Sequence, residues 1–230
     1  MKKMLVTIVV LSIIFIGMVV RRNQVQSNSS DNVTIEEISA IEEYISKIYM
    51  WKEITNEALP RFEEINQASD EWIWQVVKKN IGEDSFSYEQ IQMKAKELFG
   101  DEFQKQFPKQ GLEGIINADS ENSYGATSII IDEKEDNFLL YNISKNDGEY
   151  EVEIIEYLED HIEGIYNEDE NQEYDIILRN VQDEEIEKVK SSESEAQIKE
   201  LVKAKIDKYS KKKIILKRNQ EGNLNIKKVE

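Results

Sequence analysis

Apolar positions in this chain recur with a period near 3.6 residues in the first half and with a period of two later. Ile38, Ile41, Ile45 and Ile48 form a helical stripe, widened by Tyr44 and Tyr49. Thr34 followed by Glu37 reads as a capping box, and Val33 with Ile38 as a hydrophobic staple. The helix is predicted to run to about Leu59, where Pro60 limits it. A shorter helical stretch is expected over Phe62 to Ala68. Ser69 or Asp70 caps a second helix that buries Trp72, Ile73, Val76 and Val77, leaves Trp74 semi-exposed and stops at Gly82. Ser87 with Gln90 boxes a third helix, with Phe86 and Ile91 as its staple, Gly100 at its end, and Ile91, Ala95, Leu98 and Phe99 facing inward. A helical turn is expected from Asp101 to Phe107, ended by Pro108.

The period then shortens. Ser123 to Ile131 is rich in β-branched residues, and Phe138 to Ile143 reads as a second strand, with Asp136-Asn137 as the turn between them. Asn146-Asp147-Gly148 is a hairpin signal, after which Tyr150, Val152 and Ile154 alternate with Glu149, Glu151 and Glu153, giving one wet and one buried face. Tyr174 to Leu178 is a further strand. Asp183 to Tyr209 reads as a helical insertion, its second half capped by Ser194 with Gln197 and striped by Ile198, Leu201, Val202, Ile206 and Tyr209. Ile214 to Leu216, a Gln220–Asn223 turn and Leu224 to Val229 close the chain as a hairpin. Helices followed by an antiparallel sheet make an α+β domain.

The start of the chain has a different chemistry. Met4 to Val20 is 17 residues without a charge, about 25 Å as a helix, which is the short end of a membrane span. The run ends in Met18-Val19-Val20-Arg21-Arg22, which offers no small-x-small cleavage pair, so an uncleaved anchor is expected over 1–22, with the more distant Ser27-x-Ser29 as the cleaved alternative. Residues 23–31 are small and polar and read as a flexible tether, leaving 32–230 as the folded domain. Lys2 and Lys3 balance Arg21 and Arg22 across the span. The Met-Lys-Lys start is like that of bacterial export signals, which places the bulk of the chain outside the cytoplasm; the reverse topology is the alternative.

Charge and composition narrow the chemistry. Beyond residue 22 there are 25 basic against 47 acidic residues, a balance that disfavours a nucleic-acid partner. With no cysteine there are no disulfides, thiolate metal sites or thiol nucleophiles, and the one histidine, His161, excludes multi-histidine metal sites. Glu159, Asp160 and His161 could act as general acid and base, but no nucleophile accompanies them, and an exposed histidine at a strand end is the simpler reading. Glu149 to Asp175 holds 12 carboxylates and no Lys or Arg. Glu168, Asp169, Glu170, Glu173 and Asp175 could ligate Ca²⁺, yet the spacing lacks the EF-hand pattern, and a solvated strand face and loop is preferred. Gly111-Leu112-Glu113-Gly114 lacks the ending of a phosphate loop. No metal, cofactor or catalytic residue is therefore assigned. Lys199 to Glu230 has 11 basic against four acidic residues and is expected to pair beside the acidic strand around Glu151 and Glu153, with an interaction face for an acidic wall polymer, lipid head or partner as the alternative.

The opening helix from Thr34, the Asn146-Asp147-Gly148 hairpin and the closing Leu216-Lys217-Arg218-Asn219 and Asn225-Ile226-Lys227-Lys228 together resemble the NTF2-like (cystatin-like) superfamily over roughly 31–230. That resemblance implies helices packed on a curved antiparallel sheet around a cone-shaped cavity, with the helical insertion before the last hairpin as a departure. Members include enzymes, small-molecule binders and membrane-anchored assembly subunits. Tyr44, Tyr49, Trp51, Trp72, Phe99 and Phe103 are the candidate cavity residues, ordinary core being the plainer alternative. The functional expectation is a non-enzymatic, single-pass protein that holds the bilayer through residues 4–20 and docks an envelope protein partner. A small-molecule or sensor domain using the apolar cavity is the alternative.

Overall fold

A computed structural model describes residues 33–52, 55–81, 87–106, 133–162 and 174–230. Residues 1–22 and the tether lie outside it, as do Gly82, Phe86, Pro108, the Gly111–Gly114 stretch, the expected Ser123–Ile131 strand and the loop carboxylates Glu168, Asp169, Glu170 and Glu173. Among the described residues, no helix is long and apolar enough to cross a membrane.

The architecture is α+β, with four helices packed on a curved antiparallel sheet. The first three helices begin on reciprocal caps or on a serine. In α1 (Ile35–Ile48) Thr34 and Glu37 exchange side chain-to-backbone bonds. Ser69 Oγ accepts the Trp72 N–H at the start of α2 (Asp70–Ile81), and Ser87 and Gln90 box α3 (Tyr88–Phe99). Each cap accepts N–H groups that a helix start leaves without an intrahelical partner.

The first helix is shorter than its pattern suggests. It ends at Ile48 rather than near Leu59. Side chains from α2 take its last carbonyls: Lys79 Nζ donates to Ser46 and Tyr49, and Asn80 donates to Lys47. The Trp72 indole N–H is shared between the carbonyls of Ile48 and Ala58. Tertiary donors thus satisfy carbonyls that a longer helix would have bonded internally. The stretch from Phe62 to Ala68 contains only a 3₁₀ turn, Ile65–Gln67, and Phe62 instead forms a bridge to Val229. Residues Asp101 and Glu102 turn without forming a helix. Trp74, expected to be semi-exposed, is 8% exposed.

The sheet is built on one long hairpin. Strands β1 (Glu133–Asn146) and β2 (Glu149–Ile162) are joined by Asp147 and Gly148, at φ 48° and 82°, the positive values that a two-residue I′ turn requires. Asp136-Asn137 is not a turn: both residues sit in β1, opposite Leu158 and Tyr157. On its other side β2 has two partners in succession. Its first half pairs with β5 (Ser210–Arg218), which carries β6 (Leu224–Val229); its last residues pair with β3 (Asp175–Arg179), which carries β4 (Glu185–Lys190). The expected helical insertion is therefore half strand. Its first part is β4, and only the Ser194-capped part is helical, as α4 (Glu195–Ala204).

Each sheet face has its own core. Tyr150, Val152 and Ile154 pack with α1, α2 and α3, where Trp72 is fully buried. The alternate residues of β2, Ile155 and Tyr157, pack with Ile176, Leu178 and Val189 against Ile198 and Val202 of α4. The exposed faces of β2 and β5 are neutralised across strands: Glu151 meets Lys213 at 2.7 Å and Glu149 meets Lys217 at 3.7 Å. The basic closing hairpin does pair with the acidic strand.

Candidate functional site

The six candidate aromatics do not share one cavity. Tyr44, Tyr49, Trp72, Phe99 and Phe103 are buried in the helix-side core. Trp72 and Phe99 ring centres are 5.7 Å apart, and Phe99 and Phe103 5.3 Å apart. Phe103 reaches this cluster from the turn after α3, not from a helix. Trp51 lies past the end of α1 and is 52% exposed. Tyr44 acts as a strut, donating from its hydroxyl to the Leu98 carbonyl and accepting the Ile226 N–H, which ties α1 to α3 and β6.

A groove of about 790 Å³ lies elsewhere, across the outer edge of β1 between α1 and α4. Helical spacing brings Ile35, Ser39, Glu42 and Ser46 of α1 to its wall. Glu135, Asn137 and Phe138 of β1 form the floor, with Tyr157 and Glu159 of β2 behind them, and Glu195 and Lys199, one turn apart on α4, close the far side. Lys199 spans the groove, 2.7 Å from Glu195 and 3.6 Å from Glu42. Glu135 and Glu159 are direct cross-strand partners. Burial raises the Glu159 carboxyl above its ordinary range, only partly opposed by the nearby His161 and by a hydrogen bond from the deeply buried Tyr157.

Strand alternation separates the suggested acid–base trio. Asp160 points to the other face and pairs with Arg179 at 2.7 Å. His161 Nε2 stands 3.7 Å from Glu159, and Nδ1 stands 3.5 Å from the Tyr174 hydroxyl. The histidine is at the strand end, as expected, but its side chain is largely covered. Asp175, the one proposed Ca²⁺ ligand among the described residues, is held by Lys190 at 2.6 Å. Among the described residues no three His, Asp or Glu side chains are placed to hold a metal ion.

A second polar cluster is internal. Glu156 and Lys212, both buried, approach to 3.2 Å; the Tyr49 hydroxyl donates to Glu156 at 3.3 Å, and Lys212 Nζ also donates to the Leu59 carbonyl. Burial outweighs Lys212 and raises the Glu156 carboxyl, and the same burial drives the Tyr49 phenol upward. This cluster pins the loop after α1 to the sheet.

Neither the groove nor the internal pair was legible as a site. The groove depends on the register that opposes Glu135 to Glu159, and a turn expected at Asp136-Asn137 hides that register. The alternation of β2 did carry one signal, since Tyr157 and Glu159 lie on the face opposite Val152 and Ile154. No protein-family model, curated protein or solved structure matches the chain.

Proposed function

We propose that the chain is a membrane-anchored, extracytoplasmic protein-interaction domain of the bacterial cell envelope, held in the bilayer through residues 4–20. The observation that carries this reading is the charge-free run from Met4 to Val20, joined by a short polar tether to a domain whose first helix is capped at Thr34. Tethering raises the local concentration of the domain beside other envelope proteins, so a modest contact suffices for assembly. The packed aromatics leave the outer surface, rather than an enclosed chamber, to meet a partner. No catalytic role or cofactor is proposed. An NTF2-like kinship belongs to the same proposal, supported by helices that precede and cover a curved antiparallel sheet.

The test is biochemical. The full chain should stay in the membrane pellet through alkaline carbonate washing, and protease added to intact cells should remove the 32–230 domain. Release into the wash would end the anchor reading, and a domain protected in cells but digested in lysates would reverse its orientation. The groove volume also suits a small ligand, which keeps a sensor as the second reading.

A further inference from the structure

We propose that the groove between α1 and α4 docks a short basic, amphipathic segment of a partner protein. The inference rests on the interaction-domain reading and names the chemistry of the partner.

Two observations carry it. The first is shape with mixed polarity: the half-buried side chains of Ile35 and Phe138 supply apolar surface within the groove, while Glu42, Glu135 and Glu159 supply carboxylates around it. The second is a break in the charge pairing of the sheet. On its strands, carboxylates meet cations: Glu151 with Lys213, Asp160 with Arg179, Asp175 with Lys190. Glu135 and Glu159 instead face each other directly, the one like-charged pair in register among the described strands. Neither has a Lys or Arg within ion-pair distance among the described residues, and Lys199 is already engaged by Glu42 and Glu195. Opposed like charges destabilise a sheet. A lysine or arginine from outside, set over Glu135 and Glu159, would relieve that repulsion, and an adjacent apolar residue would cover Ile35 and Phe138. Free polyamines or metal ions would satisfy the carboxylates but leave the apolar surface wet. A peptide segment meets both demands.

The probe is a fluorescently labelled hexapeptide of alternating lysine and leucine, titrated into the full chain in neutral detergent, with a detergent-only blank. Binding should weaken about tenfold in Glu135→Gln/Glu159→Gln. It should change less than about twofold in the charge-matched Glu89→Gln/Glu221→Gln, whose carboxylates are exposed away from the groove. A lysine–serine hexapeptide should bind at least about fivefold more weakly than the lysine–leucine probe. Thermal unfolding monitors folding in parallel, and the groove variant should melt no lower than the parent. Equal weakening in both variants would mean general attraction to an acidic protein. Equal binding by spermidine or by the lysine–serine peptide would mean a simple polycation site. Either result, or no binding, overturns the proposal. Membrane retention is measured separately, so loss of the anchor reading and loss of groove binding are distinct outcomes.

Discussion

Lys212 is an internal cation with three partners from two parts of the chain: Glu156 on the neighbouring strand, and the Leu59 carbonyl and Glu57, the latter at 3.8 Å, in the loop after α1. A buried pair of this kind adds little net stability when intact, because both charges lose their water. Breaking it is different, since the remaining charge keeps the desolvation cost without the attraction. Lys212→Met is expected to destabilise the domain by about 3–5 kcal/mol in urea unfolding. Adding Glu156→Leu should recover most of that loss, giving a large coupling energy in the double-mutant cycle. If the two single changes simply added, the pair would not be the unit described here.

At the scale of elements, glycines with the same backbone sign have different roles. Gly100 ends α3 at φ 86°, and Gly148 closes the β1–β2 turn at φ 82°. A Cβ on Gly148 would meet nothing within 4 Å, whereas one on Gly100 would lie 2.9 Å from Cγ of Asn225. Asn225 cannot easily retreat, because it is buried and its amide donates to the Leu98 carbonyl. Gly148→Ala should therefore cost about 1 kcal/mol from backbone strain alone, and Gly100→Ala clearly more, about 2–3 kcal/mol. Chemical denaturation of the two variants checks the order; equal losses would remove the steric part of the argument. Asn225 of β6 therefore packs directly against the end of α3.

The whole molecule is organised by β2, which contributes alternate side chains to both cores and changes its pairing partner from β5 to β3 along its length. It also holds the two carboxyls that burial raises among the described residues, Glu156 and Glu159. Glu156 and Glu159 have raised carboxyls, so their contribution to stability is full below about 4.5 and is lost as pH rises through their folded values. Glu37 behaves oppositely. Burial alone would raise it, but hydrogen bonds from Lys145, Tyr150 and the Thr34 backbone lower it to about 2, so its contribution is present above 4.5 and lost between 4.5 and about 2. Melting temperature should therefore rise on acidification towards about 4.5, as Glu156 and Glu159 take up protons, and fall between 4.5 and about 2, as Glu37 does. Glu159→Gln should raise the melting temperature at pH 7 and flatten the upper limb. A steady decline from neutrality would contradict the assignment.

Features that depend on neighbours within a few residues follow from local chemistry alone. The boxes at Thr34, Ser87 and Ser194, the stop at Gly100, the turns at Asp147-Gly148 and Gly222 and the alternation of Tyr150, Val152 and Ile154 are local bargains between side chain and backbone, and each stands where the pattern puts it. Tertiary structure decided what depends on distant groups. α1 stops early because Lys79, Asn80 and Trp72, far along the chain, take its final carbonyls. β1 runs straight through Asp136-Asn137 because β2 offers a complete ladder opposite them. β4 extends through the first part of the expected helical insertion, because β3 presents an edge to pair with. The groove belongs to this second class: its carboxylates come together only through strand register and the meeting of α1 with α4 around one sheet edge, neither of which any local pattern encodes.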